Sequence, residues 1–290
     1  MSSKRPGPKS WVSLVTGCSS GIGRALAREL ARRGQRCFAS ARRAESVREL
    51  EAEGLEAVQL DVDDPVGIRA AVDAVLERAG RIDLLVNNAG QSLFGPLAEL
   101  PLARLDAVYR TDLRGPLAVA QAVVPAMAKQ GFGRIANVGS LVGVVPTPWT
   151  GAYCAVKAAL HTLSEVLRME VAPLGIEVIV VQPGAVRSEV AVNAPVDLER
   201  YSAPDSLYRD AVGAIRRRSQ ASQRNPTEAD DFARALADAL TRARAPRVVR
   251  LGRGSGAITL LAMLPVALRD RLFARAFGLT GLDRGLRSSG

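Results

Sequence analysis

The chain is poor in the residues that bind metals, build disulfide frameworks or cross membranes. It has one histidine and three cysteines in 290 residues, all dispersed, so no metal-ligand cluster is expected. Cys18, Cys37 and Cys154 are an odd number with no secretory leader before them, which predicts a reducing, cytoplasmic setting without disulfides. No window reaches about 18 consecutive apolar residues, so none is expected to span a bilayer. Aromatic residues make up only 4% of the chain and no recognition motif accompanies them, which argues against a nucleic-acid partner despite a formal charge of +10.

With 48% apolar and 23% charged residues, and neither repeats nor low-complexity blocks, the composition is that of one sizeable domain. Residues 1–10 are polar with Pro and Gly and read as a disordered tail. From residue 11 onward strand and helix signals alternate. Strands are expected at 11–16, 36–41, 56–60, 82–86, 134–138 and 177–181. Helices are expected at 22–33, 44–52, 64–78, about 101–129 and 151–171. Such alternation predicts an α/β, Rossmann-type domain over 11–254: a doubly wound parallel sheet with helices on both faces, its ligands beyond the carboxyl ends of the strands. After Pro183 the regularity fails, and about 185–226 reads as a mobile substrate lobe with one or two helices. Pro226, Thr227 and Glu228 look like a helix start leading into 229–242, and 247–251 reads as a last strand.

Charge is concentrated at the end of the chain. Residues 242–290 contain ten Arg against Asp270 and Asp283, a net +8, leaving +2 for the rest. Within this part, 255–290 reads as a basic, apolar helical extension. Its 257–268 stretch is apolar, broken by Pro265, and flanked by Arg250, Arg253, Arg269, Arg271 and Arg275. It is too short to span a bilayer and fits an anionic membrane surface, a substrate lid or an oligomer contact.

The chemistry-bearing residues follow the same order. Thr16, Gly17, Cys18, Ser19, Ser20, Gly21, Ile22 and Gly23 lie between the first strand and first helix. Glycines there allow a tight turn, and the helix start offers free amides and a positive dipole to a pyrophosphate. The second strand ends in Ser40, Ala41, Arg42 and Arg43. No carboxylate is present to grip the ribose hydroxyls of NAD, whereas Arg42 suits the 2′-phosphate of NADP, so NADP(H) is expected over NAD(H). Asp61, followed by Val62, closes the third strand and either bonds the adenine amino group or caps the next helix. Asn87, Asn88, Ala89 and Gly90 end the fourth strand, where small residues let a ribose lie against the backbone.

Tyr153 and Lys157 stand four residues apart and share a helix face. A free tyrosine titrates near ~10, and a neighbouring cation favours its phenolate. Ser140, thirteen residues upstream, adds a hydroxyl donor for an oxyanion. His161 reads as helix-face packing or a subunit contact, Cys154 as packing, and Trp149 either walls a substrate pocket or packs.

These pieces together resemble the short-chain dehydrogenase/reductase family. The resemblance spans about 11–188 and rests on the glycine turn 16–23, the 87–90 segment, Ser140, the 153–157 motif and Pro183-Gly184. It implies Tyr153 as general acid/base, Lys157 lowering its pKa and binding the nicotinamide ribose, and Ser140 orienting the carbonyl. It also implies that Pro183, Gly184, Val186 and Ser188 line the nicotinamide and diphosphate, and that the chain forms a homo-oligomer. One residue departs from the family pattern. Asp112 stands where an asparagine usually supports a water chain to the lysine through its main-chain carbonyl; a carboxylate there could instead pair with Lys157 and blunt its effect on Tyr153. Segments 91–97, 146–161 and 182–188 look like the branch of acyl-dihydroxyacetone-phosphate reductases and 17β-hydroxysteroid or retinol dehydrogenase-like enzymes, which implies a lipophilic carbonyl or alcohol substrate. The rival reading is a dinucleotide-sensing or scaffold protein of the same fold, with Asp112 as its only support.

Overall fold

The computed structural model describes residues 7–188, 196–280 and 282. Seven parallel strands form one sheet: β1 Val12–Val15, β2 Arg36–Ala41, β3 Glu56–Gln59, β4 Leu84–Asn87, β5 Gly133–Val138, β6 Ile176–Pro183 and β7 Val248–Leu251, in the order β3-β2-β1-β4-β5-β6-β7. Strands β1, β4 and β5 are buried along their whole length, because crossover helices cover both faces of the sheet. On one face α1 (Gly21–Arg32) and a helix at Ala229–Leu240 pack Leu26, Leu30, Phe232 and Leu236 against Val15, Val86 and Val181. On the other, α3 (Pro65–Ala79) and α5 (Gly115–Gln130) set Ile68, Val72, Val119 and Val123 against Leu14, Leu85 and Ile135. In each helix these contacts recur every four residues, the spacing that puts them on one stripe. This is the doubly wound architecture that the strand and helix alternation predicts.

A short helix α2 (Glu45–Arg48) follows β2, and α6 (Gly151–Val171) follows β5. The long helical region expected over 101–129 is two helices, α4 (Leu102–Tyr109) and α5, joined by a π-helical turn at Arg110–Arg114. Pro116 has no N–H for the carbonyl four residues back, that of Asp112, so the α ladder cannot run through. Gly115 N–H reaches back five residues to Arg110 O instead.

The lobe after β6 contains α7 (Leu198–Ser202) and α8 (Val212–Gln220); Pro195 lies outside the described residues. The expected helix start at 226–228 is built differently. No side chain caps α9 (Ala229–Leu240). Thr227 instead stitches three segments together: its N–H donates to Ala185 O, its carbonyl accepts from Arg187 N–H, and its hydroxyl accepts from Arg253 N–H, each near 3.0 Å.

After β7, two short helices, α10 (Ile258–Met263) and α11 (Val266–Ala276), fold back over the site. Ile258, Leu261 and Phe273 pack on Leu141 and Val145. Phe277 and Leu279 join Trp149, Tyr201 and Ile215 in a second cluster. Trp149 therefore packs rather than walling the cavity. Its indole N–H donates to Phe277 O at 2.8 Å, and its ring meets Tyr208 edge-on at 5.7 Å. Among the described residues no helix is long and apolar enough to cross a membrane.

Candidate active site

The chain winds outward from β1 through β2 to β3, then returns to β4 on the other side of β1. The crevice beyond the carboxyl ends of β1 and β4 is therefore the topological switch point. A cavity of about 730 Å³ opens there, running from the glycine turn and Arg42 at one end to Phe94 and Arg218 at the other.

Thr16 organises the first end. Its hydroxyl donates to Val86 O at 3.3 Å and accepts the amides of Asn88 and Ala89 at 3.0 Å. Asn88 returns its carboxamide N–H groups to Thr16 O (2.9 Å) and Gly17 O (3.1 Å). The glycine turn and the 87–90 segment are thus one hydrogen-bonded unit. Gly17 has φ +72°, and a Cβ there would stand 2.7 Å from Ala89 Cα, so a side chain would force the two segments apart. Gly21 and Gly23 shape the turn without lining the cavity, the first facing Ser188 and the second Asn88. Ser19, Ser20 and Ile22 line it, and no side chain caps the start of α1. An uncapped helix N-terminus beside a cavity suits a pyrophosphate. By this test the residues present fit a dinucleotide.

Along the cavity wall stand Arg42, Asp61, Val62, Asn88, Ala89 and Gly90, then Pro183, Gly184, Val186 and Ser188. Arg42 is exposed and meets no carboxylate among the described residues. Ser40 is buried and donates to Val15 O at 3.1 Å, which makes it structural. Asp61 accepts the Asp63 amide at 3.0 Å, whereas Asp64 caps α3 by accepting from Val66 N–H at 3.0 Å. The helix-cap alternative for Asp61 is therefore taken by Asp64.

Helix α6 brings Tyr153 and Lys157 to the middle of the cavity, and the end of β5 brings Ser140. Lys157 is buried. Its ammonium donates to Val138 O at 2.9 Å, lies 3.1 Å from Asp112 Oδ2, and stands 5.6 Å from the centre of the Tyr153 ring. Asp112 is fully buried, and its other oxygen accepts the Gln91 amide at 2.9 Å. The carboxylate thus pairs directly with the lysine, the outcome its departure from asparagine raised.

The charges explain the acidities. Burial pushes the Tyr153 phenol up; Lys157 pulls it down and Asp112 pushes it up again, and the net direction is upward. Lys157 acts in the expected sense but is outweighed. Burial favours neutral Lys157, yet Asp112 and Tyr153 together hold its pKa above the ordinary value, so it stays a cation. Burial raises the Asp112 carboxyl against the pull of Lys157.

Ser140 is held at two points. Its hydroxyl oxygen accepts from Val142 N–H at 3.3 Å, the hydroxyl also favours the Tyr153 phenolate through a side-chain hydrogen bond, and its backbone N–H donates to His161 Nε2 at 3.4 Å. Burial, with Lys157 and Arg250 nearby, pushes His161 down to about 4, so it is the neutral acceptor this contact needs. His161 is therefore a packing residue that also supports Ser140. Its sequence position, one turn beyond Lys157, was the only available signal.

Other site residues left less trace in the sequence. Asn137 joins Asn87 (2.8 Å) to Ser164 (2.9 Å), tying β4, β5 and α6 together. Gln223 accepts Ser188 N–H at 3.2 Å and donates to Val186 O at 3.1 Å, closing the lobe over the cavity. Arg218 also lines the cavity. It stands in a run with Arg216 and Arg217 that gives no hint which of the three turns inward.

Comparisons with known proteins show what the chain as a whole resembles. The family model for short chain dehydrogenases matches residues 11–198. A short-chain dehydrogenase of Penicillium ochrochloron, ptmH, is 32% identical over 273 residues, 92% of this chain and 98% of its own. The uncharacterized oxidoreductase YbbO of Escherichia coli is 35% identical over 181 residues, 62% of this chain and 67% of its own. The crystal structure of a short-chain dehydrogenase from Streptomyces avermitilis superposes with a TM-score of 0.75 at 32% identity, covering 97% of this chain and 99% of that one.

Because Asp112 pushes the Tyr153 phenol up, Asp112→Asn is expected to move its ionisation to lower pH. Phenolate absorbance, titrated against the same variant carrying Tyr153→Phe, reads the shift; an unchanged midpoint would show that Asp112 has no hold on Tyr153.

Proposed function

The chain belongs to the short-chain dehydrogenase family and is an oxidoreductase; from that premise we propose that it moves a hydride between NADP(H) and a secondary carbonyl or alcohol, with Tyr153 as general acid/base. The observation that carries this reading is the meeting of Tyr153, Lys157 and Ser140 in the cavity that also receives the glycine turn. The bound nicotinamide would supply or accept the hydride. In reduction, the Tyr153 O–H donates its proton to the substrate oxygen and the Ser140 O–H steadies that oxygen as charge develops. Lys157, held by Val138 O, stabilises the phenolate left behind. Asp112 fixes Lys157 in place while offsetting part of its charge. The same residues run oxidation in reverse, with Tyr153 accepting the proton. A dinucleotide-sensing protein without catalysis would have no use for a Ser140 hydroxyl that favours the Tyr153 phenolate.

Three finer readings rest on particular residues. Arg42, free at the end of β2 where a carboxylate would favour NAD, supports NADP(H). Phe94, Leu141, Val142 and Ala185 line the substrate end of the cavity and support a lipophilic substrate. The outer side of the C-terminal helices exposes Leu260, Met263, Val266, Leu268 and Leu272 beside exposed Arg271 and Arg275, which supports peripheral contact of a cytoplasmic protein with an anionic membrane. The inner side of the same helices packs on Leu141 and Val145, so support of the cavity wall and a membrane contact are compatible. Exposed Leu102 and Tyr109 on α4, and Val166 and Met169 on α6, support a homo-oligomer.

Tyr153→Phe is expected to keep NADPH binding and to lower kcat by on the order of 10³-fold in a panel of ketones and aldehydes; turnover at the parent rate would overturn the assignment. Arg42→Ala should raise KM for NADPH about tenfold and leave NADH kinetics unaltered. Leu268→Ser with Leu272→Ser should abolish co-sedimentation with anionic vesicles at low salt, and no binding by the parent chain would end the membrane reading.

A further inference from the structure

Arg218 is a partly buried cation without a counter-ion. It sits on α8 at the substrate end of the cavity. Its Nε and Nη2 both donate to the Thr147 hydroxyl, at 3.3 and 2.9 Å, and its guanidinium lies 5.6 Å from the Phe94 ring and 5.8 Å from the Phe277 ring. Among the described residues no carboxylate comes within ion-pair distance, and Nη1 has no hydrogen-bond partner. Four other arginines drawn partly or fully into the fold meet carboxylates: Arg24 meets Glu49, Arg33 meets Glu29 and Asp238, Arg81 meets Asp83, and Arg134 meets Glu177. A guanidinium stays protonated at any physiological pH. Drawing one partly out of water against two aromatic rings and a single neutral hydroxyl leaves its charge uncompensated.

The placement gives that charge a use. Thr147 also accepts from Cys154 Sγ at 3.9 Å, which ties the Arg218 anchor to the residue next to Tyr153. The two Phe rings and Thr147 fix the plane of the guanidinium, and Arg253 adds a second, exposed cation to the cavity wall. A planar fork held in place, with N–H groups to spare, is the arrangement that binds a carboxylate or a phosphate at two points.

We propose that the substrate carries an oxyanion, a carboxylate or a phosphate, on the side away from the reacting carbon, and that Arg218 binds it. This rests on the reading of Tyr153 as the reacting centre and adds a substrate class to it: a carbonyl or alcohol whose apolar body lies along Phe94 and whose charged end reaches α8. The anion supplies the counter-charge that the fold withholds from Arg218, and it sets which way round the substrate lies, with its carbonyl oxygen toward Tyr153 and Ser140.

Two matched pairs test the proposal: a straight-chain keto acid against its methyl ester, and hydroxyacetone phosphate against hydroxyacetone. Calorimetry on the NADP-loaded full chain is expected to show at least one anion binding about tenfold or more tighter than its neutral partner, a preference that Arg218→Gln removes and Arg218→Lys partly restores. Which pair shows the preference distinguishes carboxylate from phosphate. In turnover the loss in Arg218→Gln should fall on KM rather than kcat, and unchanged cofactor affinity reports an intact fold. Equal binding of charged and neutral partners in both pairs, or a preference that survives Arg218→Gln, overturns the proposal. If the anion preference is present and Tyr153→Phe still turns over at the parent rate, the Tyr153 assignment falls and the anion site stands.

Discussion

The buried ammonium of Lys157 is the constraint on which the site depends. A lysine head group taken out of water without partners would cost several kcal/mol or lose its proton. Here it is met by the Val138 carbonyl from β5 and the Asp112 carboxylate from the π-helical turn. Three elements must therefore converge on one atom: the end of β5, helix α6 and the break between α4 and α5. That convergence sets where α6 lies, and with it where Tyr153 points. Pro116 contributes at a distance, since the break it imposes brings Asp112 inward with Gln91 N–H on its second oxygen.

A second set of contacts builds the other half of the cavity from parts far apart in the chain. Trp149 precedes α6, takes a positive φ of 67° and donates to the carbonyl of Phe277, just after α11 in the C-terminal extension. Phe277 in turn covers one face of Arg218 on the lobe, while Phe94, from the loop after β4, covers another. The extension thus buttresses Arg218 and Leu141, which line the cavity, from behind. Its basic, apolar composition serves two sides at once, with Ile258, Leu261, Phe273 and Phe277 turned inward and Leu260, Met263, Leu268 and Leu272 left outside.

Much of this was legible before any coordinates. Buried parallel strands read as apolar runs, and amphipathic helices read as four-residue stripes, because each pattern records which faces an element must hide. The glycine turn was legible because only glycine accepts the backbone of Gly17 and the contact with Ala89. Tyr153 and Lys157 were legible because one helical turn brings positions four apart together. Asp112 stood out only against the family pattern, and the sequence left open whether its carboxylate or its main chain faced the lysine.

What the sequence by itself determined was the local chemistry: strand, turn, helix, and the residue types able to hold a dinucleotide and move a proton. The tertiary structure alone decided which charges meet. The direct pairing of Asp112 with Lys157, the seat of Ser140 against His161, and the selection of Arg218 from three consecutive arginines all join residues separated by long stretches of chain. Periodicity reports a residue's own face but not what packs opposite it. Electrostatics depends on distance through space and on exclusion of water, and both exist only once the sheet, the lobe and the C-terminal helices have closed around the same cavity.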